Sequence, residues 1–259
     1  MPELPEVETI VRDLVPRLSG RRVVLVQVVA GLVVKSALDG IAGQRVVGVR
    51  RHGKNIIVEC EGGCLSMHLG MTGKLLMNGE RTPYTRVVFG LDDGELLFDD
   101  VRQFGRIHWS AAMPQRLSEL GPDPLTVSQA DFVERLRARR GTIKPVLLNQ
   151  GFLRGLGNIY VDESLFRAGI HPLALAARLS RRRACALHDA IQQVLSLAIE
   201  HRGSSISDYV DAAGERGSFQ QLHQVYGKQG QACPLCRSVI RRIVVGQRGT
   251  HLCPRCQKL

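Results

Sequence analysis

Residues 86–100 read RVVFGL-DDG-ELLFDD, two apolar, β-prone runs separated by Asp92, Asp93 and Gly94. An Asp-Gly break between two such runs is the signature of a β-hairpin, so the strands are expected to pair antiparallel. Working outward, runs of the same kind recur at VVLVQVV (23–29), QRVVGVRR (44–51), NIIVEC (55–60) and CLSMHL (64–69), with Gly, Asp or Asn at their boundaries. Several short strands at this spacing across 22–108 predict an antiparallel sandwich or barrel. Before them, Val7, Ile10, Val11 and Leu14 recur at helical spacing. Pro5 suits a first turn and Gly20 a stop, which predicts a helix over 5–18.

Beyond the β-rich region the pattern changes. The stretch AAMPQRLSELGPDPL (111–125) carries Pro114, Pro122 and Pro124 and is the best candidate for an interdomain linker. Ser128 can cap a helix running through Asp131, Phe132 and Leu136. Residues 180–202 form a long amphipathic pattern with Leu187, Ile191, Val194, Leu195 and Ile199 on one face. The expected order is a helix and β-layer over 1–112, a linker over 113–127, a helical layer over 128–226 and a small cysteine module over 227–259. That is a multi-domain α+β chain.

A chain of 259 residues with 44% hydrophobic residues can build a substantial core, which argues against disorder. No apolar stretch approaches the ~20 residues needed to span a membrane. The start MPELPEVET lacks the basic and apolar regions of a secretory signal, so a cytoplasmic protein is expected. The formal net charge of +11 attracts polyanions, among which nucleic acid is the commonest in the cytosol. Charge is concentrated at the C-terminal end: residues 233–259 hold six Lys or Arg and no Asp or Glu. Seven cysteines are an odd count and exclude a fully paired disulfide framework. Cys60, Cys64 and Cys185 are scattered and read as ordinary small residues.

The other four form Cys233-Pro-Leu-Cys236 and Cys253-Pro-Arg-Cys256, with sixteen residues between the pairs. Two such knuckles supply four thiolates to one tetrahedral Zn²⁺, and the span between them reads as strand, turn, strand. Four protein ligands leave no open position, so this zinc is structural. It would hold the hairpin so that Arg248 projects in a fixed direction, where a guanidinium suits a bidentate phosphate contact.

At the other end, Pro2 is small enough that removal of Met1 is expected, which leaves a secondary amine. An α-amino group titrates near ~8, so a useful share is unprotonated at neutral pH. Such an amine can attack a sugar carbon and form an iminium ion, with Glu3 beside it to exchange a proton. Taken alone, the stretch also fits an ordinary helix start with Glu3 and Glu6 at the positive end of the dipole.

MPELPEVET, Arg51-His52-Gly53-Lys54, His68-Leu69-Gly70-Met71-Thr72-Gly73, Arg102-Gln103-Phe104-Gly105, Gly155-Leu156-Gly157-Asn158-Ile159-Tyr160 and the cysteine knuckles occur in that order. Together they resemble the formamidopyrimidine-DNA glycosylase (Fpg/MutM) family over the whole chain. The resemblance implies an N-terminal β-sandwich, a helix-two-turn-helix DNA-binding domain and a C-terminal zinc finger. It also implies a base-excision-repair enzyme that removes oxidised purines (8-oxoguanine, formamidopyrimidines) from duplex DNA and cleaves the strand as an AP lyase by β,δ-elimination. In that resemblance Pro2 is the Schiff-base nucleophile at C1′ and Glu3 its acid/base partner. Lys54 and Arg248 contact phosphates and serve the two eliminations. Asn158 holds the backbone from the turn that begins at Gly155. Met71, Arg102 and Phe104 fill the hole left by the extruded base. Tyr84 and Arg139 fall on DNA-contacting positions.

The chain departs from the family pattern. Asp100-Val101-Arg102-Gln103-Phe104-Gly105 lacks a proline and a basic residue of the usual motif, and Tyr84 replaces a histidine, so it cannot be cationic. These changes bear on affinity and substrate ranking, not on the amine. Three other readings stay open on residues alone: an endonuclease VIII-like glycosylase for oxidised pyrimidines, a non-catalytic damage-binding protein of the same fold, and an RNA-binding zinc-ribbon protein. Leu4 and the Met71/Arg102/Phe104 set favour purines, and simple binding needs no amine nucleophile. With no coiled-coil pattern or apolar interface stripe, a monomer is expected.

Overall fold

Glu3 has the extended backbone of an N-cap, and Pro5 stands in the first turn, where its missing N–H leaves no bond unmade. Helix α1 (Leu4–Leu18) follows, and Gly20 ends it at φ +83°, a conformation that glycine adopts without strain. The computed structural model describes residues 1–206 and 208–259. They form two units, Met1–Glu119 with Ile199–Gln220, and Leu120–Ala198 with Gln221–Leu259.

In the first unit, eight strands follow α1: β1 (Val23–Val28), β2 (Val46–His52), β3 (Asn55–Cys60), β4 (Gly63–His68), β5 (Lys74–Met77), β6 (Thr85–Leu91), β7 (Glu95–Asp99) and β8 (Arg106–Ser110). They build two antiparallel sheets in the orders β1-β6-β7-β5 and β2-β3-β4-β8. The hairpin expected from residues 86–100 is present. Gly90 pairs with Glu95, and Leu91 N–H donates to the Gly94 carbonyl at 2.9 Å. One core unites the layers, with Val7, Ile10 and Leu14 of α1, Phe89 and Phe98 of one sheet, and Ile56, Met67 and Ile107 of the other. The expected strand runs did not include β5 and β8. Each is one of the two edge strands of its sheet.

The proline-bearing segment is partly folded. Gln115–Ser118 forms one helical turn (α2), Leu117 is buried, and His52 Nε2 lies 2.7 Å from the Leu117 carbonyl. Residues 199–220 add Tyr209 and Ala212 to the first unit's core.

The second unit contains α3 (Gln129–Arg137), α4 (Ile143–Leu148), α5 (Asn158–Arg167) and α6 (Arg181–Glu200), the last up to Ala198. Ser128 caps α3 as expected, its Oγ accepting the Asp131 N–H at 3.1 Å. The apolar face read for α6 is buried. A hairpin of β9 (Arg241–Val245) and β10 (Arg248–Leu252) turns on Gly246 and Gln247, both at positive φ, a type I′ signature. The turn takes only these two residues, and Arg248 opens the return strand.

Candidate functional site

In the first unit the chain start is pinned by a buried carboxylate. Glu6 Oε2 accepts the Glu3 N–H at 2.8 Å, and its Oε1 accepts the Ser204 N–H at 2.7 Å. Gly203 makes the second bond possible, because a Cβ there would lie 2.7 Å from Glu6 Oε1. Pro2 and Glu3 are buried while Met1 is exposed. Lys54 is also buried, in the two-residue turn between β2 and β3. Gly53 precedes it at φ +63°, as a type II′ hairpin turn requires. His68, at the end of β4, reports on this neighbourhood. Burial first, then the positive charges of Lys54, Arg106, Arg116 and the chain's terminal amine, push its imidazole down to about 4. Its Nδ1 accepts the Gly70 N–H at 3.0 Å, as a neutral ring can.

The structure brings Met71, Arg102 and Phe104 together. The Arg102 guanidinium lies 4.7 Å from the Phe104 ring centroid, and its Nη1 lies 3.6 Å from Met71 Sδ. Met71 and Phe104 are 43% and 53% exposed, and both stand on locked loops. Buried Asp100 accepts the Gly105 N–H at 2.7 Å and the Thr72 hydroxyl, whose Oγ1 in turn accepts the Arg102 N–H at 3.1 Å. Gln103 holds a left-handed φ of +54°, uncommon for a non-glycine residue. Gly70 fits the two loops together: a Cβ there would meet the Phe104 carbonyl carbon at 2.6 Å. Tyr84 stands exposed with the Arg86 guanidinium 5.9 Å from its ring, and its carbonyl accepts the Asp100 N–H.

In the second unit, Arg248 is exposed, and the carbonyl of the next residue, Gly249, accepts Asn158 Nδ2 at 2.9 Å. Asn158 is the first residue of α5, and its Oδ1 is buried without a partner among the described residues. Arg139 is half-buried, 5.6 Å from the Phe152 ring centroid, away from that pair in sequence and contacts.

The four knuckle sulfurs of Cys233, Cys236, Cys253 and Cys256 lie within 4.8 Å of one another. Zn–S bonds of ~2.3 Å require sulfurs about 3.8 Å apart at the corners of a tetrahedron. The 3.9 Å Cys233–Cys256 and 3.4 Å Cys236–Cys253 spacings bracket that value. Hydrogen bonds from Ser238 pull the Cys236 thiol down, while burial and then the other sulfurs push Cys256 up. Thiols crowded this way call for a cation. The donor set fits one structural Zn²⁺, with Phe166, Val225 and Ile240 packed around it.

Sequence reading missed three buried ionic groups. Lys144 and Asp162, both fully buried, pair at 2.6 Å. Glu163 accepts the N–H groups of Gln224, Val225 and Tyr226, and its proton affinity is still raised by burial. The only signal for the acidic pair was two adjacent acids in an otherwise apolar helix. Glu6 was read as a dipole partner and carries a longer-range bond as well.

Residues 1–107 match the formamidopyrimidine-DNA glycosylase N-terminal domain, residues 120–210 the formamidopyrimidine-DNA glycosylase H2TH domain, and residues 230–259 a zinc finger found in FPG and IleRS. The formamidopyrimidine-DNA glycosylase of Solibacter usitatus is 50% identical over 264 residues, covering all of both chains. That of Carboxydothermus hydrogenoformans is 42% identical over 269 residues, again covering both fully. Among solved structures, MutM (FPG) from Thermus thermophilus superposes with a TM-score of 0.91 at 39% identity, covering 99% of this chain and 98% of that one. Lactococcus lactis Fpg in complex with abasic-site DNA gives 0.90 at 35%, with 99% and 100% covered.

Proposed function

This chain belongs to the formamidopyrimidine-DNA glycosylase family, and from that premise we propose how its own residues divide the reaction. The chain is a DNA glycosylase with AP lyase activity in base excision repair, and it carries one structural Zn²⁺. Its substrate is duplex DNA holding an oxidised purine or an abasic site, on which it acts as a cytoplasmic monomer. No helix among the described residues is long and apolar enough to cross a membrane.

After removal of Met1, the Pro2 nitrogen attacks C1′ and sheds its proton. The glycosidic bond breaks with its electron pair going to the base, which takes up a proton. The sugar ring opens as O4′ gains a proton, leaving a C1′ iminium, with Glu3 as the acid/base partner. That cation acidifies C2′–H, whose loss expels the 3′ phosphate. Loss of the C4′ proton then expels the 5′ phosphate, and water releases the sugar fragment from Pro2. Lys54 serves the first elimination, while Arg248 serves the second and holds a phosphate. Asn158, Tyr84 and Arg139 grip the strand. Met71 and Phe104 occupy the vacated stack, and Arg102 addresses the unpaired partner base.

The observation that carries this reading is the start of the chain, where Glu6 holds the Glu3 N–H beside buried Pro2, while Lys54 and the amine of Met1, one residue before the Pro2 nitrogen, both act on the His68 imidazole. Once Met1 is removed, the prolyl amine and Lys54 are the pairing that iminium formation and elimination need. Borohydride should trap a covalent adduct on duplex carrying an oxidised guanine, once mass spectrometry has established that Met1 is absent. Pro2→Gly should abolish or gravely weaken trapping; an undiminished yield removes Pro2 from the mechanism.

A further inference from the structure

The metal lies at the wrong end of the hairpin to position Arg248 alone. Cys253 lies five positions after Arg248, so at ~3.3 Å per residue the guanidinium-bearing backbone stands roughly 17 Å from the cysteine cluster. A two-stranded ribbon is marginal on its own, and its outer edge exposes unpaired backbone groups. In this protein that edge is filled by side chains. The Gly249 carbonyl accepts Lys144 Nζ at 3.2 Å and Asn158 Nδ2 at 2.9 Å, and the His251 N–H donates to Asp162 Oδ2 at 2.8 Å. Carbonyl i and N–H i+2 lie on the same side of a strand, so these contacts take the place of a third strand beside β10. The other carboxylate oxygen of Asp162 holds Lys144 at 2.6 Å, which aims the ammonium at the carbonyl directly after Arg248.

We propose that Asp162, acting through Lys144 and the His251 N–H, is a positioning residue for Arg248 and so for the second elimination. The inference rests on the reading of Arg248 given above. The pair adds no net charge, so the phosphate meets the Arg248 guanidinium and not a second free cation. Zinc holds the base of the hairpin, and the Asp162–Lys144 pair holds its tip. Asp162 touches no reacting atom.

The test uses the full-length, zinc-loaded enzyme on duplex with a preformed abasic site, reading the ratio of δ- to β-elimination products. Zinc content and borohydride trapping are measured alongside. Asp162→Asn should lower the ratio on the order of ten- to a hundredfold, the scale of a misplacement near 1 Å. Zinc should stay at one equivalent, and trapping, which depends on Pro2, should persist. Because Asp162→Asn strands a buried ammonium, the double variant Lys144→Met/Asp162→Leu, which buries no charge, decides the matter if the single one fails to fold. Zinc-loaded double variant with the wild-type product ratio overturns the proposal, provided that Arg248→Ala lowers it. An Arg248→Ala protein that keeps the wild-type ratio instead refutes the reading of Arg248 itself.

Discussion

Gly70→Ala tests whether the loops bearing Met71, Arg102 and Phe104 are interlocked. Gly70 has φ +61°, and a Cβ there would lie 2.6 Å from the Phe104 carbonyl carbon and 2.8 Å from the Gly105 nitrogen. Ordinary carbon contacts lie near ~3.5 Å, so the loops must part by about 0.9 Å. An alanine in the left-handed region costs about 1–2 kcal/mol. Forcing backbone apart in a packed site adds about 1–3 kcal/mol, for a total of about 2–5 kcal/mol. Gly43→Ala is the matched control, since Gly43 has φ +85° and nothing lies within 4 Å of the place its methyl group would take. It should cost only the backbone term. Trp109, the single tryptophan, lies in β8 of the first unit, so urea unfolding followed by its fluorescence reads both variants locally. Gly70→Ala should be less stable than Gly43→Ala by about 1–3 kcal/mol. Its excision of oxidised guanine should also fall by roughly a hundredfold, because the displacement moves the wedge by nearly 1 Å. Cleavage of a preformed abasic site should fall less. Equal stability of the two variants together with wild-type excision would refute the interlock.

Acid should weaken the first unit through His68. Its imidazole titrates at about 4 in the folded chain against an ordinary 6.5, because of burial and then the cations around it. Between those values the unfolded chain holds the extra proton, so stability is whole above pH 6.5 and declines as pH falls toward 4. The loss amounts to about 3 kcal/mol. Trp109 fluorescence at pH 7 and 4.5 measures it, and His68→Asn should flatten the profile; an unchanged slope assigns the effect elsewhere. Cys253→Ser should lose the equivalent of zinc together with duplex affinity. A metal-free variant that binds duplex like the wild type would show that the hairpin does not grip DNA. Because the proposed grip works through phosphates, wild-type affinity should fall steeply with salt.

Much of the β-layer is legible because burial and turn chemistry agree along residues 86–100. RVVFGL and ELLFDD supply inward faces, and Gly94 takes the positive φ of the turn at +91°. The two strands that escape the pattern are both edges. β5 is four residues long and starts with Lys74, while β8 opens with Arg106 and carries His108. Edge strands are kept short and charged so that they do not recruit other chains, and those same traits erase the apolar run by which a strand is recognised. Helix α5 is hidden for a related reason. Asp162, Glu163 and Ser164 are all buried on it, so polar residues occupy its inner face and no amphipathic stripe remains.

The candidate site divides along the same physical line. The four sulfurs can be singled out from type and spacing, and the Pro2 nitrogen from the family resemblance that the motifs carry together. Residues whose importance lies in what they touch cannot. Asp162 matters because it meets Lys144 and His251, 18 residues before it and 89 after it in the chain. Glu6 matters because it reaches Ser204, 198 residues away. Burying a carboxylate is costly unless each oxygen is matched, and both of these carboxylates are matched on both oxygens. A matched pair ties backbone more rigidly than a solvated one, since neither partner has water to turn to. In the proposed reading each reactive end therefore rests on a buried acid, the chain start on Glu6 and the Arg248 strand on Asp162. Neutralising either acid should loosen a reactive group while leaving its own side chain intact.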